Sequence, residues 1–378
     1  MARWDVIVIG AGPGGAAAAR AASAGGLRVL VVEAGRWPRR KPCGGVISAD
    51  ALARVEERFG PTPLEAFANP PLLRQTRIHL SERESFSAPL SWPALRVERK
   101  VFDGHLIRHA GADLRARTSV LSLLQTDYGV DLEIASGSLE AKVAIVAAGA
   151  GSTLTPVRGV RRTLAFASRV HYRAKGQVEG REWLLLDTAE DGLAAIDPER
   201  DGQLSIVTAV KDPRRWKQSQ AQAIKLAQGL GLGIEVEREA EFGWLARGGP
   251  WLGIGRVLAV GDAAGLGLAL GLGLESAFES GEAAGLAAVE SLQTGREIQA
   301  AYKEHLRPLL RRRQAERRLH SLLRLRLGGL DGQQDLGEAL SASFTKRGAI
   351  GLRVSQILQA LDAEGAPPGG FRVGPGTA

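Results

Sequence analysis

The chain of 378 residues contains one cysteine, Cys43, and one methionine, and only 5% of it is aromatic. A single thiol excludes an intramolecular disulfide and fits a reducing compartment. No cysteines and histidines stand at zinc-ligand spacing, so no metal site is expected. There is no RNA-binding signature and no long basic tail, and the net charge of +8 comes with 41 acidic residues interspersed, so nucleic acid is not an expected partner. Long apolar runs are missing too: the charge-free apolar stretch 263–274 is rich in glycine and too short to span a bilayer. The expectation is a cytoplasmic protein, soluble or peripheral to a membrane. At this length, 44% hydrophobic residues are enough to bury two lobes.

What is present begins with Asp5 to Glu33, which reads as strand, glycine turn, helix and strand. Val6 to Ile9 is the apolar run a parallel strand needs when both faces are covered. Gly10, Gly12 and Gly15 follow at G-x-G-x-x-G spacing, with Pro13 and Gly14 between them. Gly10 permits the tight turn, Gly12 lets a pyrophosphate approach the backbone, and Gly15 lets the helix sit close to the strand. The alanine-rich run 16–24 predicts a helix whose free N–H groups and dipole make an anion site. Leu27 to Val32 predicts the second strand. Glu33, followed by Ala34, ends it where a carboxylate can accept both hydroxyls of an adenosine ribose, so a free 2′-hydroxyl is preferred over a 2′-phosphate. Arg3 and the apolar run after it mimic a secretory signal, but the phosphate fingerprint occupies that run.

A second signal lies far downstream. Val257 to Val260 predicts a buried strand, and Gly261-Asp262-Ala263-Ala264-Gly265 a sharp turn in which Asp262 is the single charge. A buried carboxylate needs hydrogen-bond partners, which ribityl hydroxyls and backbone amides would supply; a helix-capping aspartate is the structural alternative. Gly271-x-Gly273-Leu274 then leads into a long helix. Between the two signals, Lys41-Pro42-Cys43-Gly44-Gly45 reads as a loop, Arg99-x-x-Phe102-Asp103-x-x-Leu106 opens a helix, and a strand ending at Ala148 turns at Gly149-Ala150-Gly151.

These segments resemble the geranylgeranyl reductase branch of the flavoproteins related to p-hydroxybenzoate hydroxylase, over most of 5–286. The resemblance implies FAD, with Lys41, Gly44 and Gly45 in a loop that places Cys43 beside the flavin ring. It implies Arg99 near the flavin or its phosphates, Ala148 and Gly149 at a cofactor-lining strand end, and the Gly273-Leu274 helix facing the pyrimidine end of the ring. Ala148 stands where the family often has an acid. Leu193, Ala195 and Asp197 stand where prenyl reductases carry an aromatic-rich segment ending in Phe-Pro. Cys43 is the candidate catalytic residue, a small packing residue being the alternative. His171 is either a proton donor or a structural histidine.

The implied fold is α/β. A Rossmann-like FAD-binding lobe with a parallel sheet (1–72, 97–160 and 250–300) is interleaved with a smaller mixed-sheet substrate lobe (73–96 and 161–249), followed by a helical region (301–363) and a flexible tail (364–378). Helices are expected from Ser48, as N-cap, to Phe59, from 97 to about 112, and over 214–230. Strands are expected in 76–88, 117–125, 130–135, 142–148, 164–174, 183–187, 192–196 and 203–210, with a turn at Ser91-Trp92-Pro93. An arginine-rich helix over 302–327, kinked at Pro308, either packs on the flavin lobe or lies on an anionic membrane, and a further helical stretch is expected near 350–361.

The implied activity is reduction of carbon–carbon double bonds in an isoprenoid or other small apolar substrate by hydride from reduced flavin. Electrons would come from NAD(P)H or a protein donor, since no second strand-linked G-x-G-x-x-G occurs. The alternatives are an FAD-dependent monooxygenase and a flavin-binding protein without turnover.

Overall fold

The computed structural model describes residues 4–79, 85–154, 162–175, 181–187, 192–198, 203–229, 232–248, 250–267 and 273–314. The chain opens with β1 (Trp4–Ile9), α1 (Pro13–Ala24) and β2 (Val29–Val32), the unit expected from the sequence. The two strands pair in parallel, Val6 opposite Val29 through Ile9 opposite Val32. They are covered on both faces, which is why they carry nearly unbroken Val, Ile and Leu instead of an alternation. A short strand, β3 (Val46–Ser48), leads into α2 (Ala49–Phe59). The Ser48 side chain accepts the Ala51 N–H, as an N-cap should, and Gly60 closes the helix at a φ of 79°.

Next come β4 (Phe67–His79) and β5 (Ser85–Val97), an antiparallel pair. The turn expected at Ser91-Trp92-Pro93 is absent, because β5 runs straight through it. Pairing skips from Leu73 opposite Ala94 to Gln75 opposite Pro89, so these residues lie in an irregularity where a proline forfeits no ladder hydrogen bond. The chain continues with α3 (Arg99–Arg108), β6 (Asp113–Arg115), β7 (Val120–Gln125), β8 (Val130–Ile134) and β9 (Gly137–Val146). Helix α3 stops short of the expected end, and β6 has no counterpart among the expected strands.

Strands β10 (Arg162–Lys175), β11 (Arg181–Asp187), β12 (Gly192–Pro198) and β13 (Gln203–Val210) precede α4 (Trp216–Gly229) and β14 (Gly233–Gly248). β15 (Gly253–Ile254), β16 (Val257–Ala259), α5 (Gly273–Thr294) and α6 (Ile298–His305) follow. Helix breaks at Leu306, and Pro308 falls in the first turn of a new helical segment, 307–314, where its missing N–H costs nothing. The remainder of the expected arginine-rich helix, the 350–361 stretch and the tail lie outside the described residues. Among the described residues no helix is long and apolar enough to cross a membrane.

The strands form two sheets. The first has the order β15-β16-β9-β1-β2-β6, with the β7–β8 hairpin joined to β9 through β8. Its strands β16, β9, β1, β2 and β6 are parallel. The second has the order β14-β10-β13-β12-β11-β4-β5-β3 and is antiparallel except where β11 meets β4. Helix α4 covers one face of this second sheet, packing Ala223 and Ala227 against Val170, Ile196, Leu204 and Ile206. Since β3 hydrogen-bonds to β5, the segment after β2 crosses from the first sheet to the second.

Helices α1 and α5 meet through a seam of small residues on the first sheet. A β-carbon at Gly281 would lie 2.0 Å from the Gly14 carbonyl oxygen, and one at Gly285 would lie 2.5 Å from that of Ala18. Further along, Gly25 abuts Val289. Contacts that advance together along both chains mean that the helices run parallel, with their N-termini at the same end. Gly281→Ala has no room to relax, because the atom it meets is backbone. We expect it to destabilise the protein by about 2 kcal/mol or more, read as a lowered midpoint in urea denaturation.

Candidate functional site

The glycine turn after β1 is built by exclusion. Gly10 has a φ of +108°, and a β-carbon there would lie 2.5 Å from the Ala147 carbonyl oxygen. One at Gly15 would lie 1.9 Å from the Gly10 carbonyl oxygen, so α1 can close on β1 only with glycine at both positions. Gly12 is the helix N-cap with no side chain capping the turn, Pro13 follows at the first helical position, and the nearest atom to a β-carbon on Gly12 is Arg39 Nη2 at 3.9 Å. Gly14 faces the other way, against the Ala277 carbonyl of α5. Its small size therefore serves helix packing.

Glu33 is buried at the end of β2. Its Oε2 accepts the Ala11 N–H at 2.9 Å and its Oε1 the Gly35 N–H at 3.1 Å, with Arg39 Nε 3.5 Å away. One carboxylate thus ties the glycine turn to the end of the neighbouring strand. Ala34 is exposed beside it. At the end of β9, the Ala147 N–H donates to the Ile9 carbonyl, Ala148 is exposed, and Gly149 turns the chain with a φ of +79°.

At the end of β16 the chain turns through the 3-10 segment Gly261–Ala264. Gly261 has a φ of +55°, packs on Ala277, and donates its N–H to Ser280 Oγ at 2.9 Å. Asp262 is half-buried in this turn. Gly273 opens α5, Leu274 is buried behind it, and Glu275 accepts the Ser48 N–H at 3.0 Å. Gly271 lies outside the described residues. The C-terminal ends of β1, β2, β9 and β16 therefore carry Gly10, Glu33, Gly149 and Asp262 along one edge of a parallel sheet. The parallel helices α1 and α5 direct their N-termini to that same edge.

Residues 41–45 lie across the second sheet. Lys41 is half-buried, and Pro42 packs on Gly243 of β14. The Cys43 carbonyl accepts Arg169 Nη1 at 3.0 Å, and its sulfur accepts the Gly45 N–H at 3.4 Å. Gly44 presses on the Asp197 carboxylate, where a β-carbon would lie 2.9 Å from Oδ2. Gly45, with a φ of +70°, is held against Val97, whose N–H donates to the Gly45 carbonyl. Arg99 begins α3 and is buried; its guanidinium forks onto Asp103, with Nε–Oδ1 at 2.9 Å and Nη2–Oδ2 at 2.7 Å. Burial opposes that charge, but Asp103 and the neighbouring Cys43 more than offset it and hold the Arg99 pKa above the ordinary guanidinium range.

His171 pairs with Glu241 across β10 and β14 at 3.5 Å. Arg96 and Arg169 were not singled out from the sequence. Both are buried, and Arg169 Nε donates to Ser205 Oγ at 3.1 Å.

A parallel sheet with a glycine cradle, an acid at the second strand end and helix N-termini gathered at one edge defines a dinucleotide-binding oxidoreductase architecture. The chain belongs to the FAD-dependent oxidoreductase family, whose description matches residues 5–225. FAD is its cofactor, and the residues present fit it: an uncapped helix N-terminus, a cradle free of β-carbons at Gly12, and carboxylates at two strand ends.

Among curated relatives, the FixC protein of Bradyrhizobium diazoefficiens is 27% identical over 216 residues, which is 50% of this chain and 49% of that protein. Digeranylgeranylglycerophospholipid reductase 1 of Methanosphaera stadtmanae is 31% identical over 176 residues, 43% of this chain and 42% of that enzyme. The chain thus spans half or less of the length of these relatives. A geranylgeranyl bacteriochlorophyll reductase-like structure from Thermoplasma acidophilum superposes with a TM-score of 0.75 at 20% identity, covering 95% of both chains, which establishes the fold.

Asp103→Asn leaves the buried Arg99 guanidinium without its counter-charge. The expected loss is about 3 kcal/mol of unfolding free energy, measured by urea denaturation at neutral pH.

Proposed function

We propose that this FAD-dependent oxidoreductase reduces carbon–carbon double bonds of an isoprenoid or other apolar substrate. The observation that carries the cofactor half of the reading is the gathering of four strand ends and two helix N-termini on one edge of the first sheet. The similarity to the digeranylgeranylglycerophospholipid reductase supports the substrate half. In this reading 1–72, 97–160 and 250–300 hold FAD, and 73–96 with 161–249 form the substrate side.

The roles follow from chemistry. Gly12 and Pro13 leave the α1 N-terminus open to the pyrophosphate, to which Gly14 offers its backbone N–H while its missing side chain admits α5, and Glu33 accepts the adenosine ribose hydroxyls. Asp262 accepts ribityl hydroxyls, while Gly261 shapes the turn that presents it. The α5 N-terminus at Gly273 and Leu274, preceded by Gly271, favours negative charge on the pyrimidine end of the ring. Gly149, with Ala148, borders the cofactor at the end of β9. Lys41, Cys43, Gly44, Gly45 and Arg99 line the ring side. Bound FAD, reduced by NAD(P)H or a protein donor, would supply the hydride. The chain orients the alkene against the ring, keeps water away, and admits a proton from solvent or from a side-chain acid.

A second reading, a monooxygenase acting on a small or apolar substrate, keeps the same cofactor site. The observation that favours it is the charged face of the second sheet next to Cys43, where Arg96, Arg169 and Asp197 are buried. Peripheral attachment to a membrane through the arginine-rich helix would suit a lipid substrate.

Two measurements test these readings. Glu33→Gln should weaken FAD binding roughly tenfold, seen in a fluorescence titration of FAD-free protein. For the reaction, the enzyme-bound flavin is reduced without oxygen and mixed with a prenyl-chain alkene. Reoxidation of the flavin at the expense of the alkene is the expected result. Substrate-dependent oxygen consumption with no alkene reduction would replace this reading with the monooxygenase.

A further inference from the structure

We infer that the Arg96–Asp197 pair is a positioning pair that sets the charge beneath the Cys43–Gly45 loop and, through it, the reduction equilibrium of the flavin. The inference rests on the reading that this loop borders the ring. Both side chains are fully buried, at 0% relative exposure, and Arg96 Nη2 lies 3.7 Å from Asp197 Oδ2. That is an ion pair without a hydrogen bond. Neither Asp197 oxygen has a hydrogen-bond partner among the described residues.

The pair straddles the loop. Arg96 of β5 is the strand partner of Val46, the residue that follows Gly45. Asp197 of β12 lies directly under Gly44. A buried pair with this geometry is a weak source of stability, since taking both charges out of water costs about as much as their attraction returns. It is, however, a strong source of local potential, because the same burial that makes the charges costly leaves them poorly screened.

The surrounding charges make the balance sensitive. Arg99 is matched by Asp103, and Arg169 leans on the Cys43 carbonyl with Glu98 4.0 Å away. Among the described residues around this five-residue loop are three buried arginines, two buried carboxylates and the half-exposed Glu98. Neutralising Asp197 therefore adds positive potential at the loop, and neutralising Arg96 adds negative potential. Because a reduced flavin carries more negative charge than the oxidised one, the two changes must act in opposite directions.

The test compares Asp197→Asn, Arg96→Gln, the double variant and Asp197→Glu in two assays. In the first, the flavin midpoint potential is measured against a reference dye. Asp197→Asn should favour the reduced form about tenfold, a rise of about 30 mV for a two-electron couple. Arg96→Gln should shift it the other way, while the double variant and Asp197→Glu return towards wild type. In the second, Cys43 of the FAD-free protein is alkylated with iodoacetamide. Asp197→Asn should react about threefold faster and Arg96→Gln slower, since positive potential favours the thiolate. Circular dichroism checks folding, and if Asp197→Asn does not fold, the double variant against Arg96→Gln carries the same comparison.

Opposite shifts in both assays support the inference. Opposite shifts in alkylation with an unmoved flavin potential would mean that the loop is not beside the ring, which overturns the inference together with the reading beneath it. No change in either assay, or shifts of the same sign in both single variants, would overturn the role of the pair itself.

Discussion

Helix α1 approaches β1 and α5 more closely than any β-carbon allows, and the rest of the structure depends on that approach. The Gly10 carbonyl occupies the space a side chain at Gly15 would need, and the Gly14 carbonyl that of a side chain at Gly281. Two helices locked in parallel at this distance place their positive ends side by side. Aligned dipoles repel, and an anion at their shared end relieves the repulsion. On the proposed reading the anions there are a pyrophosphate and a reduced flavin ring, which would give packing and cofactor chemistry one cause.

The second sheet contributes a different physics. One face is apolar and covered by α4, while the other carries arginines and carboxylates under residues 42–45. Such charges would be prohibitive if left unmatched: Arg96 is matched by Asp197 and Arg169 by Ser205 and the Cys43 carbonyl, each on another element, while Arg99 beside them is matched by Asp103 one turn along α3. The loop after β2 is therefore held by electrostatics, by two glycines that admit neighbouring atoms, and by apolar contacts of Trp37 with the first core and of Pro42 with Gly243. Its exposed arginines, Arg36 and Arg40, face outward.

Legibility in the sequence followed how local each cause was. The β1–α1–β2 unit was readable because strand, turn and helix signals sit within one continuous segment. The Ser48 cap and the Gly261 turn were readable for the same reason. Strand β14 was not expected, although Ile234, Val236 and Ala240 with Glu235, Glu237, Glu239 and Glu241 hint at alternation, because its partner β10 lies far away in sequence. The passage of β5 through Trp92-Pro93 was hidden because the tolerance for proline comes from an irregular register with β4. Nothing local marked Arg96 and Asp197 as partners: one hundred residues separate them, and only the fold makes them a pair.

The central claim is that two distant glycine turns hold one FAD between them. The most direct measurement is an equilibrium titration of the FAD-free protein with FAD, repeated with ADP and with riboflavin as competitors. The account predicts one FAD per chain, displaced by ADP from the β1–α1 end and separately by riboflavin from the α5 end. A protein that takes up no FAD, or one whose FAD is indifferent to either fragment, would contradict it.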